Sequence, residues 1–118
     1  MAKKSNSIFL VYTDIDPKFD EEFNAWYNTE HLGDLLKLPG FLDAGRYVAT
    51  KGGPKYLAVY ELDTEEPQAV MQAVRSDYVP RWQAAHRLLD CLEVVSSITV
   101  TALGVRRQAT VATTRTST

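Results

Sequence analysis

Residues 56–62, YLAVYEL, are apolar or aromatic at nearly every position. The run is too short for a helix and is bounded by KGGPK on one side and DTEEP on the other, so it reads as a β-strand. A strand that is apolar on both alternating sets of residues needs cover on both faces. One face can be covered by helices of the same chain. The other needs something more, and a second copy of the same sheet is the simplest cover. The run therefore implies a layered fold that associates through its open sheet face.

The rest of the chain supplies the layers. Residues 8–13, IFLVYT, form a second apolar strand. Asp16 can cap a helix, Pro17 fits its first turn, and Asp20, Glu21 and Glu22 sit at the positive end of its dipole. This predicts a helix over 17–32. Leu-Pro-Gly at 38–40 ends the region, and a strand is expected over 41–50. KGGPK at 51–55 is a hairpin turn. A second helical region is expected over 65–90, divided by Pro80, and a last strand over 92–103. The order β-α-β-β-α-β is the ferredoxin-like α+β pattern, an antiparallel four-stranded sheet with both helices on one face. Residues 1–103 are expected to form this single domain. Residues 104–118, with five threonines, three arginines and no acidic or aromatic residue, are expected to be a disordered tail.

The bulk properties exclude several classes. The 118-residue chain carries a formal charge of −2, so nothing in its overall charge favours nucleic acid or an anionic membrane. No apolar run approaches a membrane span. MAKKSNS lacks the pattern of a secretory signal. The one cysteine, Cys91, allows no internal disulfide and reads as a small buried hydrophobe. A cytoplasmic protein is expected. Phosphate-loop, dinucleotide and GxSxG motifs are absent. The two histidines, His31 and His86, lack metal-site spacing. Neither a metal nor a cofactor is expected. Were haem present, His86 would be an axial candidate beside His31.

The chemistry concentrates in WYNTEHLGD, residues 26–34. At about 100° per residue from Phe19, Phe23 falls at about 40°, Trp26 at about 340° and Tyr27 at about 80°, an aromatic stripe that should face the sheet. Glu30 falls inside it at about 20°, while His31 lies at its edge at about 120° and Asp34 at about 60°. A buried carboxylate must be paired or have a raised pKa, and a histidine beside it can move protons at neutral pH. His31 and Glu30 are thus the catalytic candidates. Tyr12, Trp26, Tyr27, Asp34, Arg46, Tyr60, Trp82 and His86 are the candidates for substrate binding, with Trp82 and His86 on one face of the second helix. The plain alternative is a core stripe, with Glu30 paired to an arginine and His31 serving the helix end.

FNAWYNTEHLGDLLKLPGFLDAGRY closely resembles the dimeric α/β-barrel superfamily and its EthD-like members. The resemblance rests on Trp26, Tyr27, Glu30, His31, Pro39, Gly40, Phe41, Arg46 and Tyr47, and on GGPKYLAVYEL. It covers residues 8–62, and more loosely the second half with Tyr78, Pro80 and Trp82. Gly33 stands where the family often has proline. The resemblance implies a homodimer of ferredoxin-like subunits, each with a pocket between sheet and helices. Its members include polyketide cyclases, decarboxylases, lactone isomerases, small monooxygenases and haem-degrading enzymes, many without a cofactor. The expectation is a cofactor-independent lyase, cyclase or isomerase acting on a small aromatic or polyketide-like molecule, with a pocket histidine as general acid/base. The alternatives are a non-catalytic dimeric binding or accessory protein and, below it, a small monooxygenase.

Overall fold

The structure is a computed structural model that describes residues 6–89 and 94–103. Four strands, β1 (Ser7–Thr13), β2 (Phe41–Val48), β3 (Tyr56–Leu62) and β4 (Val94–Thr101), form an antiparallel sheet in the order β2-β3-β1-β4. This is the ferredoxin-like α+β fold expected from the sequence. The expected start of the last strand, the cysteine and the tail lie outside the described residues.

β3 has the bounds read from the sequence. Tyr56, Ala58, Tyr60 and Leu62 are buried under the helices, while Leu57, Val59 and Glu61 alternate onto the outer face and are half-buried. Ile8, Leu10 and Tyr12 of β1 share that outer face, paired with Glu61, Val59 and Leu57. Ile98 and Val100 of β4 continue it and are exposed. The outer face of this chain is therefore apolar and partly open. Gly52 and Gly53, both at positive φ, turn the hairpin between β2 and β3.

The first helical arm starts as expected. Asp16 accepts a hydrogen bond from Lys18 N–H, Pro17 opens a 3-10 turn (Pro17–Phe19), and three acids occupy the first turn of α1 (Asp20–Trp26). Beyond Trp26 the arm departs from the regular helix of the sequence reading. Residues Tyr27–His31 form a π turn, closed by a bond from Leu32 N–H to the Tyr27 carbonyl, five residues back. The arm then continues through Gly33 as α2 (Leu32–Leu36). A π turn holds one residue more than an α turn, so each residue beyond it takes the direction that a regular helix gives its predecessor. His31 thereby takes the inward direction expected of Glu30.

The second arm repeats the device. α3 (Pro67–Ala73) leads into a π turn (Val74–Tyr78), where Val79 N–H reaches the Val74 carbonyl, and then into α4 (Val79–Ala84). Pro80 does not break the arm. It sits inside α4, and the widened turn just before it accommodates the ring that would clash with the carbonyl four residues back. Phe23, Trp26, Tyr27 and Leu35 from the first arm meet Met71 and Val74 from the second over Phe9, Tyr56 and Tyr60. Among the described residues no helix is long and apolar enough to cross a membrane.

α4 stops at His86. His86 N–H bonds to the Gln83 carbonyl at 3.1 Å and Arg87 N–H to the Trp82 carbonyl at 2.8 Å, with His86 left-handed at φ 56°. This is a Schellman stop with histidine where glycine is usual. Replacing His86 by glycine removes a left-handed strain worth about 1 kcal/mol. His86→Gly is therefore expected to raise the midpoint of urea denaturation, and a lowered midpoint would contradict the assignment.

Candidate functional site

A cavity of about 270 Å³ opens between the sheet and the two arms. β1 contributes Phe9, Val11 and Thr13, β3 contributes Tyr60, and the first arm contributes Tyr27, His31 and Leu35. Met71, Val74, Arg75, Val79 and Trp82 close it from the second arm, with Leu88 and Ser97 completing the wall. Most of this lining is apolar. Its polar lining includes His31, the Tyr27 and Tyr60 pair and, from the second arm, Arg75.

The His31 ring stacks on Trp26 at 4.5 Å and 18°, and meets the edges of Tyr27 at 5.0 Å and Trp82 at 5.8 Å. Its Nδ1 is buried without a hydrogen-bond partner. Burial among these rings pulls the imidazole pKa down to about 4, with Asp34 offsetting part of the effect. The ring is therefore neutral at pH 7. The Tyr27 and Tyr60 hydroxyls lie 2.5 Å apart. Burial raises both phenols above the usual range, so they stay protonated and can donate. Behind the pair, the Arg46 guanidinium lies 4.4 Å over the Tyr27 ring and is held by Asn24 Oδ1 at 2.8 Å and Asn28 Oδ1 at 2.9 Å.

The structure distributes the sequence candidates over several places. His31, Tyr27, Tyr60 and Trp82 line the cavity, and Trp26 backs His31 while its Nε1 donates to the Arg87 carbonyl at 2.8 Å. Glu30 turns away from the cavity. Its side chain is 45% exposed and faces Arg87 at 3.8 Å, because the π turn gives the inward direction to His31. Asp34 is buried but occupied, taking Arg87 Nε at 2.7 Å and Nη2 at 3.0 Å. Arg46 is on the far side of Tyr27 from the cavity, in a separate polar groove with Asn24, Asn28 and Tyr56. Tyr12 points to the outer sheet face. His86 is exposed at its helix stop. Sequence reasoning passed over Arg75 and Arg87. Arg75 stands four residues after buried Met71, on the inward side of the second arm, and that spacing could have found it. Nothing in the sequence signalled the pairing of Arg87 with Asp34. Among the described residues no three His, Cys, Asp or Glu side chains gather as a metal site.

No family model matches the chain, and no curated protein matches it. Solved structures do. The haem degrader MhuD from Mycobacterium tuberculosis has a TM-score of 0.65 at 17% identity, covering 86% of this chain and 99% of that one. HapK from Hahella chejuensis has a TM-score of 0.64 at 17% identity, over 88% and 99%. A monooxygenase from the gene ActVA-Orf6 of Streptomyces coelicolor, solved with nanaomycin D, has a TM-score of 0.59 at 15% identity, over 89% and 94%. At these identities the likeness carries the fold alone, the ferredoxin-like α+β fold, and does not show the EthD-like branch. Two of these neighbours are named for haem degradation and monooxygenation. Those names stand against the expected cofactor-independent lyase, cyclase or isomerase.

The low imidazole pKa makes stability depend on pH. With a folded value of about 4 and an unfolded value of about 6.5, the unfolded chain binds the extra proton between the two. The stabilising contribution of neutral His31 is complete above pH 6.5 and is lost as pH falls toward 4. By pH 5 it amounts to about 2 kcal/mol. Urea denaturation at pH 7 and pH 5 is expected to show that loss in wild type and not in His31→Phe, and equal losses would contradict burial of the ring. For the ion pair, Arg87→Ala strands the Asp34 carboxylate and is expected to lower the midpoint of urea denaturation at pH 7. An unchanged midpoint would show that the pair does not hold the arms together.

Proposed function

We propose that the protein is a small monooxygenase that uses dioxygen to oxidise a hydroxylated aromatic or polyketide-like molecule, working as a cytoplasmic homodimer. The observation that carries this reading is the meeting of a neutral imidazole with two protonated phenols in one apolar cavity. Such a cavity takes up a flat apolar ring and leaves its hydroxyl the only ligand group that needs partners. Fold likeness to an oxygenase and a haem degrader supports the reaction class.

Haem does not fit the described walls. MhuD is described with two hemes in its active site. The cavity here, about 270 Å³, falls below the roughly 300–1,000 Å³ of sites that hold drug-sized ligands. Arg75 is the only cation that the described residues place in the wall to meet two propionates. A phenol supplies both electrons itself, because a phenol and dioxygen give a quinone and water with no external reductant.

In this reading one tyrosine hydroxyl donates to the other, the pair offers its remaining O–H to the substrate oxygen, and His31 accepts from the substrate O–H. One electron passes from the ring to dioxygen. The oxidised phenol is far more acidic than the neutral one, so an imidazole of low pKa suffices to take the proton. The resulting superoxide and phenoxyl radical join through a C–O bond at a ring carbon bearing hydrogen. His31 returns its proton to the peroxide. The C–H bond then becomes the second C=O as the O–O bond breaks and water leaves. The buried, uncharged surroundings keep the proton between substrate and His31.

The oxygen electrode tests this with a panel of naphthols. One dioxygen consumed per quinone formed is expected, and turnover by His31→Ala or Tyr60→Phe should fall about 100-fold. Oxidation no faster than without protein, or full turnover in His31→Ala, would contradict the mechanism. The homodimer is tested by analytical ultracentrifugation. Wild type is expected at twice the chain mass and Val59→Glu, which charges the outer sheet face, at the chain mass. A monomeric wild type would overturn it.

A further inference from the structure

The cavity has two chemically different ends. One is formed by the tyrosine hydroxyls and His31. On the second arm stands Arg75, the only permanently charged side chain that the described residues give the wall. Arg75 follows Met71 and Val74 on the inward stripe of that arm, where an apolar residue would be the ordinary occupant. It is exposed, which places its head at the rim.

Arg75 is also the arginine left free among the described residues. Arg46 is held by two asparagine oxygens and three aromatic rings, Arg81 lies over Tyr78, and Arg87 is spent on Asp34. The one bond made by Arg75 is a long one, 3.5 Å from Nη2 to Gln72 Oε1. Among the described residues no carboxylate lines the cavity, so none of them competes there for the guanidinium. An aromatic ring held by its hydroxyl at the tyrosine end therefore presents its other end to an unpaired planar cation. The ligand group that matches it is a carboxylate.

We infer that the cavity selects hydroxyaryl carboxylic acids, with the phenol at Tyr27, Tyr60 and His31 and the carboxylate on Arg75 at the rim. This rests on the reading of the cavity as the substrate site and adds to it the class of substrate and the residue that selects it. The bond is made at an exposed rim, so it contributes modestly to affinity.

Titration calorimetry tests this by binding alone, without turnover. The probes are a hydroxynaphthoate with hydroxyl and carboxylate at opposite ends of the ring pair, and its methyl ester. Wild type is expected to bind the acid about 3- to 10-fold tighter than the ester at low salt. Arg75→Gln should bring that ratio to about one, and Arg81→Gln should leave it intact. A ratio of one in wild type, or a preference that survives in Arg75→Gln, would overturn the role of Arg75 and leave the aromatic cavity standing. Failure of wild type to bind either probe would overturn both the selectivity and the reading of the cavity as an aromatic site.

Discussion

The bond from Leu32 N–H to the Tyr27 carbonyl is the constraint on which the site depends. By reaching back five residues instead of four it fits one more residue into the turn. Everything beyond it on the first arm is rotated by one position. His31 replaces Glu30 on the inward side, Leu35 enters the core, and Asp34 comes within reach of Arg87. A regular helix would have turned the Glu30 carboxylate toward the aromatic core, where a buried charge is costly to desolvate. The π turn avoids that burial and puts a group that is comfortable when neutral in its place.

Neutrality is the common property of the polar groups at the tyrosine end of the cavity. Burial holds His31 unprotonated and Tyr27 and Tyr60 protonated, the two opposite responses of a base and two acids to the same low dielectric. Fixed charges are kept away from that end. Arg46 stacks behind Tyr27, Glu30 faces outward, and Asp34 is neutralised by Arg87 at the seam between the arms. The Arg87 backbone also receives the Trp26 indole, so one residue ties down both the ring that backs His31 and the carboxylate nearest to it.

The strands were legible because period-two alternation and turn residues act locally. YLAVYEL and KGGPK give β3 and the hairpin without ambiguity, and Arg46 and Tyr47 divide between the two faces of β2 as alternation requires. The helix start was legible from Asp16 and Pro17. The π turn was not. An extra residue in a helix leaves no mark in composition or propensity, and is chosen by how Trp26, Tyr27 and His31 pack against Trp82 from a distant segment. For that reason the sequence brought Glu30 and His31 to the same place and left the choice between them to tertiary packing. His86 shows the opposite error. Its helical spacing from Trp82 pointed to the cavity, but the helix had already ended in a left-handed residue. The resemblance was sound for the broad fold and misleading for the reaction, because a shared scaffold does not carry its chemistry with it.

Two π turns face each other across one cavity, Tyr27–His31 on the first arm and Val74–Tyr78 on the second. Each supplies wall residues from within the widened turn. The site and its chemistry stand or fall on where His31 points, and nitrogen-detected NMR of its imidazole reads that directly. A buried ring facing the cavity stays neutral down to about pH 4, and its nitrogen shifts move when a naphthol is added at pH 7. A ring that titrates at the ordinary value of about 6.5 and ignores the naphthol would contradict that placement.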